Sequence, residues 1–200
     1  MFFCCGLVAV HAQKTVRKLV LAEHVNVIQI NTDNCFAVSV QTTQGNEVQV
    51  NAEMEGEYSR DLDLKMATNG NTLTLSAGFT PNFENPNDKL SAHKVVSIAL
   101  NVSVPKGKRV DIYGTNSRVV ATGTYSQLNV SLSDGDCNLT NVRGEVYAKT
   151  QSGTIYLSAD KGKVSATSKY GQVSANPIPI GNSQILLETV TGNIELSKTE

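Results

Sequence analysis

The chain carries no surplus of positive charge. Its 200 residues hold 17 Lys and Arg against 18 Asp and Glu, a formal net charge of −1, so the electrostatic footprint of a nucleic-acid binder is missing. Cysteine is scarce too: there are four, with neither a Cys-x-x-Cys nor a zinc-type Cys/His spacing, which excludes the usual structural zinc patterns. No stretch keeps a helical period, and no apolar run is long enough to span a bilayer. The run from Phe2 to Val10 is nine residues long. Together with His11-Ala12 it reads as the end of a secretory signal covering residues 1–12. Small residues stand where cleavage before Gln13 needs them, although no Lys or Arg precedes the run. Cys4 and Cys5 do not follow the residues a lipoprotein signal requires, so no lipid anchor is expected. Beyond the signal only Cys35 and Cys137 remain, and whether they pair stays open.

What is present is alternation. Four segments repeat one pattern: Leu128 to Leu132 then Gly135 to Leu139, Val146 to Thr150 then Gly153 to Leu157, Val164 to Ser168 then Gly171 to Ala175, and Ile185 to Thr189 then Gly192 to Leu196. The glycines Gly135, Gly153, Gly171 and Gly192 are spaced by 18, 18 and 21 residues. A weaker copy begins at Val110-Asp-Ile112, with Ser117 in the glycine slot. Apolar residues at every second position predict strands with one buried face. A fixed period near 20 residues predicts a stack of one supersecondary unit. The glycines fall at the turn between two strands, where φ > 0 or close approach of the next unit would demand them.

The fold class expected is therefore all-β. The C-terminal half, residues 105–200, reads as a flattened single-stranded β-solenoid or β-roll with rungs of about 18 residues. Stacked in sequence order, its inward columns would run Leu128, Val146, Val164, Ile185 and Cys137, Ile155, Val173, Ile194. Residues 13–104 alternate less regularly and read as antiparallel strands or an early solenoid, continuous with the repeats. Asn69-Gly70-Asn71 is a hairpin turn. Asn176 to Gly181, with two prolines, holds the three extra residues of the last repeat and is expected to bulge outward.

Little here suggests catalysis. His24 and His93 lie in no nucleophile motif. Asp61 and Asp63 share one strand face, but no further carboxylate joins them in sequence, and they read as a solvent face. Ser133-Asp134-Gly135-Asp136 offers oxygen ligands of the calcium type. The recurring Gly/Asp nonapeptides of calcium-binding rolls are missing, so it reads as a turn. The outward residues of the first strand column are Asp111, Asn129, Tyr147, Ser165 and Leu186, beside Tyr113, Ser131, Lys149, Thr167 and Glu188. From these, Tyr113, Asn129, Tyr147, Lys149 and Thr167 form a polar-aromatic patch of the kind that binds sugars or protein surfaces. The irregular loop from Gly78, carrying Phe79 and Phe83, is a second candidate contact site.

The repeated alternation around Gly135, Gly153, Gly171 and Gly192, following Val104-Pro105-Lys106-Gly107, resembles the bacterial "putative adhesin" domains of unknown function, including head domains of the auto-transporter adhesin-like type. The resemblance covers roughly residues 25–197 and is strongest from 104 to 197. It implies a secreted or envelope-attached β-solenoid and offers no catalytic motif to carry over.

The function expected is a non-enzymatic, extracytoplasmic binding module or adhesin, taking a glycan or a protein surface. It would need no cofactor, metal, nucleic acid or transmembrane segment, and could associate through its ends or edges. Two alternatives stand beside this: a periplasmic structural or envelope-stress accessory protein, and a carbohydrate-active β-helix enzyme.

Overall fold

Alternating β-branched and polar residues give each strand one apolar and one polar face, and burying the apolar faces against one another sets the architecture. The computed structural model describes residues 13–83 and 96–199. The expected signal at residues 1–12, His93 and most of the loop after Phe83 lie outside them. Among the described residues the fold is all-β, with one 3-10 turn at Ser59–Asp61 and no α-helix. No helix there is long and apolar enough to cross a membrane.

The strands belong to one sheet with two arms that nearly close around a common core. In the first arm the order is β1 (Gln13–Leu21), β4 (Glu47–Glu55), β7 (Ser97–Pro105), β3 (Ala37–Thr43), then the leading halves of β9 (Arg118–Leu132) and β10 (Cys137–Thr150). It ends with β11 (Ile155–Ala159), β15 (Ile194–Lys198) and β13 (Val173–Ala175). The second arm runs β5 (Leu62–Asn69), β6 (Thr72–Phe79), β2 (Val27–Asn31) and β8 (Arg109–Gly114). The trailing halves of β9 and β10 follow, then β14 (Gln184–Thr189) and β12 (Lys163–Ser168).

β9 and β10 pass from one arm to the other by bending. Gly123 and Gly144 sit at the bends with φ of 113° and 114°, a region closed to most side chains. The ladder between the strands slips there, between Thr140 and Val142 and again between Arg143 and Glu145. Tyr125 braces the corner, its single hydroxyl proton shared between the Thr122 carbonyl at 2.8 Å and the Val40 carbonyl at 3.2 Å.

The repeats pair in parallel at an offset of one period. Val119 faces Cys137 and Cys137 faces Ile155; Leu128 faces Val146. The expected sequential stacking then fails. Val146 faces Ile185, and Ile185 faces Val164, so the last repeat inserts between its two predecessors. Burial explains the exchange. Ile185, Leu187 and Ile194 are fully enclosed, whereas Val164 and Ala166 are half-buried and Val173 is exposed. Placing the larger side chains inside removes more apolar surface from water. The connection 176–183 makes this possible: it carries the chain from β13 past the start of β12, where Gly162 N–H donates to the Pro179 carbonyl at 2.8 Å. The segment expected as an outward bulge is thus a crossover.

The turn glycines form a column in the same spatial order. A Cβ on Gly135 would meet the Ser117 carbonyl, one on Gly153 that of Gly135, one on Gly192 that of Gly153, and one on Gly171 that of Gly192. None of the four has positive φ; close approach alone demands them.

In the N-terminal half, β2 and β3 continue the parallel stack, Ile28 facing Val110 and Val38 facing Val119. The antiparallel strands β1, β4 and β7, and the β5–β6 hairpin turning at Gly70 (φ 59°), surround them. This end is tied shut. Lys14 Nζ donates to the carbonyls of Arg60 and Leu62, and Lys18 Nζ to that of Leu64, so β1 satisfies β5 across the gap. Cys35 and Cys137 are both buried and free.

Candidate functional site

The strand faces turn every second side chain of β8, β9, β10, β14 and β12 to the outside of the second arm. Cross-strand pairing sorts them into rows: Arg109, Gln127, Glu145, Gln184, Lys163; then Asp111, Asn129, Tyr147, Leu186, Ser165; then Tyr113, Ser131, Lys149, Glu188, Thr167. All five residues singled out in the sequence share this face, but they do not cluster. Tyr113 and Thr167 end one row four strand spacings apart, about 19 Å at roughly 4.8 Å per strand.

Polar contacts knit the face. Asp111 Oδ1 accepts from Asn129 Nδ2 at 2.6 Å, and both its oxygens accept from Arg109 Nε at 3.1 Å. Gln127 Nε2 donates to Asn129 Oδ1 at 3.3 Å. Tyr147 Oη donates to Glu188 Oε2 at 2.9 Å. Desolvation, then the hydrogen bond and the negative charge of Glu188, hold the Tyr147 hydroxyl protonated above its ordinary range. Glu188 stands between Lys149 and Thr167, a position created by the insertion of β14.

A groove of about 910 Å³ runs along this face and round its β12 end, where the inward-facing Val164 and Ile185 and, from the first arm, Leu196 also line it. Tyr147 and Leu186 give it apolar surface, with Leu186 38% exposed, and Gln127, Asn129, Glu145, Gln184, Lys163 and Ser165 give it amide, hydroxyl and charged groups. Pro177, Ile178 and Ile180 of the crossover line it as well. Sequence reasoning left Leu186 and Ile180 out of the site. The signal that could have found them is the spacing of 21 in place of 18, together with the two prolines, which mark where the chain must leave the stack.

The second candidate contact site is partly described. Phe79 and Phe83 stack at 4.1 Å between centroids, and Tyr58 meets Phe83 edge-on at 5.5 Å. Phe79 remains 38% exposed beside a cavity of about 350 Å³ that Phe36 also lines.

Of the remaining acidic candidates, Asp61 closes the 3-10 turn ahead of β5 and is exposed, while Asp63, Asp134 and Asp136 are engaged in structure. Asp134 accepts from Ser152 Oγ, and Asp136 Oδ1 accepts from Thr154 N–H at 2.9 Å, each bracing the next turn. Asp63 lies 3.9 Å from Lys18. Among the described residues no group of three or more His, Cys, Asp and Glu is placed to hold a metal ion.

Against known proteins, no family model matches the chain, and no curated protein does. Solved structures do. A crystal structure of a "putative cell adhesion protein" from Clostridium sporogenes superposes with a TM-score of 0.61 at 15% identity, over 94% of this chain and 100% of that one. The likeness is one of fold. A "putative adhesin" from Bacteroides fragilis (TM-score 0.34, 13% identity, 92% and 97% of the two chains) and a "putative lipid binding protein" from Parabacteroides distasonis (0.28, 11%, 93% and 97%) are more distant.

Proposed function

We propose that this chain is a non-enzymatic binding module of the cell exterior or envelope, an adhesin-type protein that recognises a glycan or a protein surface through the outer face of the second arm. The groove over that face carries the reading. Tyr147 and Leu186 offer an apolar ledge, and amide and hydroxyl groups stand around it, the combination that holds a sugar ring by stacking and hydrogen bonding. The hydrogen bonds of Asn129, Asp111 and Glu188 fix the ledge's surroundings before any ligand arrives, which lowers the ordering cost of binding. The fold likeness to an adhesion-labelled protein agrees with this use.

The same reading treats the parallel repeats as a flattened β-solenoid with rungs of 18 residues, supported by the one-period offsets Leu128–Val146 and Cys137–Ile155. It treats residues 1–12 as a secretory signal, supported by the short apolar run and the small residues before Gln13.

The test is a glycan and extracellular-matrix protein array probed with the full chain and with Tyr147→Ala and Leu186→Asp. A ligand bound by the parent and lost by both variants supports the assignment. Ligands bound equally by all three, or none at all, refute it.

A further inference from the structure

The two ends of the sheet are finished differently. At one end, Lys14 and Lys18 of β1 occupy the carbonyls of the β5 edge. At the other end β12 pairs only with β14, and β13 only with β15. Lys163 N–H donates to the Ser183 carbonyl at 2.8 Å and Lys169 N–H to that of Thr189 at 3.1 Å. Along a parallel ladder the bonding direction alternates, so Val164, Ala166 and Ser168 turn their backbone N–H and C=O to the free side. Among the described residues the only backbone partner there is the Pro179 carbonyl on Gly162, just before the strand. The crossover thus makes the first bond an added strand would make, and stops.

The side chains at this edge are of two kinds. Val164 and Ala166 point inward and remain half-buried, with Val173 43% exposed beside them. Outward, the charge is of one sign: from residue 161 to residue 187 the chain contains Lys161, Lys163 and Lys169 and no Asp or Glu, and all three lysines are exposed. The flanking carboxylates are engaged, Asp160 with Arg143 at 3.1 Å and Glu188 with Tyr147.

We infer that the free edge of β12 is an acceptor for an extended, acidic polypeptide segment, which adds as a further strand with apolar residues inward over Val164 and Ala166 and carboxylates outward beside Lys163 and Lys169. Main-chain hydrogen bonds supply the attachment and alternate side chains the selectivity, as in strand addition generally. A second copy of this chain is the wrong occupant. Pairing this edge with itself sets lysine against lysine, and pairing it with β1 sets it against Lys14, Arg17 and Lys18; like charges across strands repel.

The experiment titrates fluorescent peptides of alternating Glu-Val, Lys-Val and Ser-Val into the full chain. The Glu-Val peptide is expected to bind alone, more weakly as salt rises, and to protect the amides of Val164 and Ala166 from hydrogen exchange. Lys163→Glu with Lys169→Glu is expected to weaken it about tenfold or more and to confer binding of the Lys-Val peptide. Ala166→Pro removes a free-edge donor without touching the β14 ladder and is expected to weaken binding too, whereas Tyr147→Ala on the outer face leaves it unchanged. The proposal is overturned by equal binding of all three peptides, by no binding, by protection elsewhere, or by sedimentation showing that the chain dimerises through this edge.

Discussion

The carbonyl oxygen of Gly135 lies where a Cβ on Gly153 would have to go. Both walls of that gap are backbone, so neither can rotate aside. Any side chain at Gly153 must push two turns apart, and the two sheet arms attached to them. Gly153→Val is expected to cost about 3 kcal/mol, at the upper end of overpacking effects. At Gly45, by contrast, an added Cβ would meet only Thr43 Oγ1 at 3.9 Å, and Gly45→Ala is expected to stay within about 0.5 kcal/mol. Urea unfolding of the two variants checks the difference.

Alkaline pH should unfold the protein through its thiols. Burial first, then the nearby negative charges of Asp33 and Asp136, push Cys35 and Cys137 up from 9 to about 12. The folded state refuses an ionisation that the unfolded chain accepts. The stability linked to each thiol is therefore intact below pH 9 and lost as pH rises toward 12, by about 1.4 kcal/mol per pH unit per thiol. Cys137→Ala should flatten the fall measured by urea midpoints between those limits. In the native state below pH 9 neither thiol should react with a disulfide reagent, while both should in urea.

Much of this was legible in the chain itself. The two-residue period marked the inward residues, the glycine spacing marked the turns, and the alternation marked which side chains share the outer face; each is a local property of consecutive residues. The order of strands is not local. Leu187 and Ala166 occupy the same slot of their repeats, and only the comparison of how much each must bury decides which lies inside. The bends at Gly123 and Gly144 went unread because a glycine inside an alternating run looks like a small residue until the strand is seen to serve two arms. In the first half, β2 finds partners in β6 and β8, far along the chain, and nothing in residues 27–31 points to either. That Tyr113, Asn129, Tyr147, Lys149 and Thr167 share one face was legible; that Leu186 and Glu188 stand between β10 and β12 on it was not, since it depends on that strand order.

Local stability should follow the same order. β9 and β10 are held on both sides and line the core with Leu128, Val130, Leu139 and Ala148 fully buried. β12 and β13 each have one partner and half-buried or exposed apolar residues. Amide exchange is expected first in 163–175 and last in β9 and β10, since opening free energies track burial and pairing. Earlier exchange in β14 than in β12 would contradict the inserted order.

The Tyr147–Glu188 pair makes a spectroscopic prediction. Glu188→Gln takes away the negative charge that helps raise the Tyr147 hydroxyl and leaves a neutral, weaker hydrogen-bond acceptor beside the desolvation. The tyrosinate absorbance assigned to Tyr147, by difference from Tyr147→Phe, should appear at lower pH in Glu188→Gln than in the parent. An unchanged titration would mean that the hydrogen bond at 2.9 Å is not formed in solution.

Ligand binding to the outer face of the second arm is tested most directly by an amide chemical-shift map of the full chain titrated with the strongest ligand from the array. Perturbations are expected to converge on Asn129, Tyr147, Ser165 and Leu186, with Ile180 at their margin. Perturbations gathered instead around Phe36, Phe79 and Phe83, with the groove silent, would contradict it.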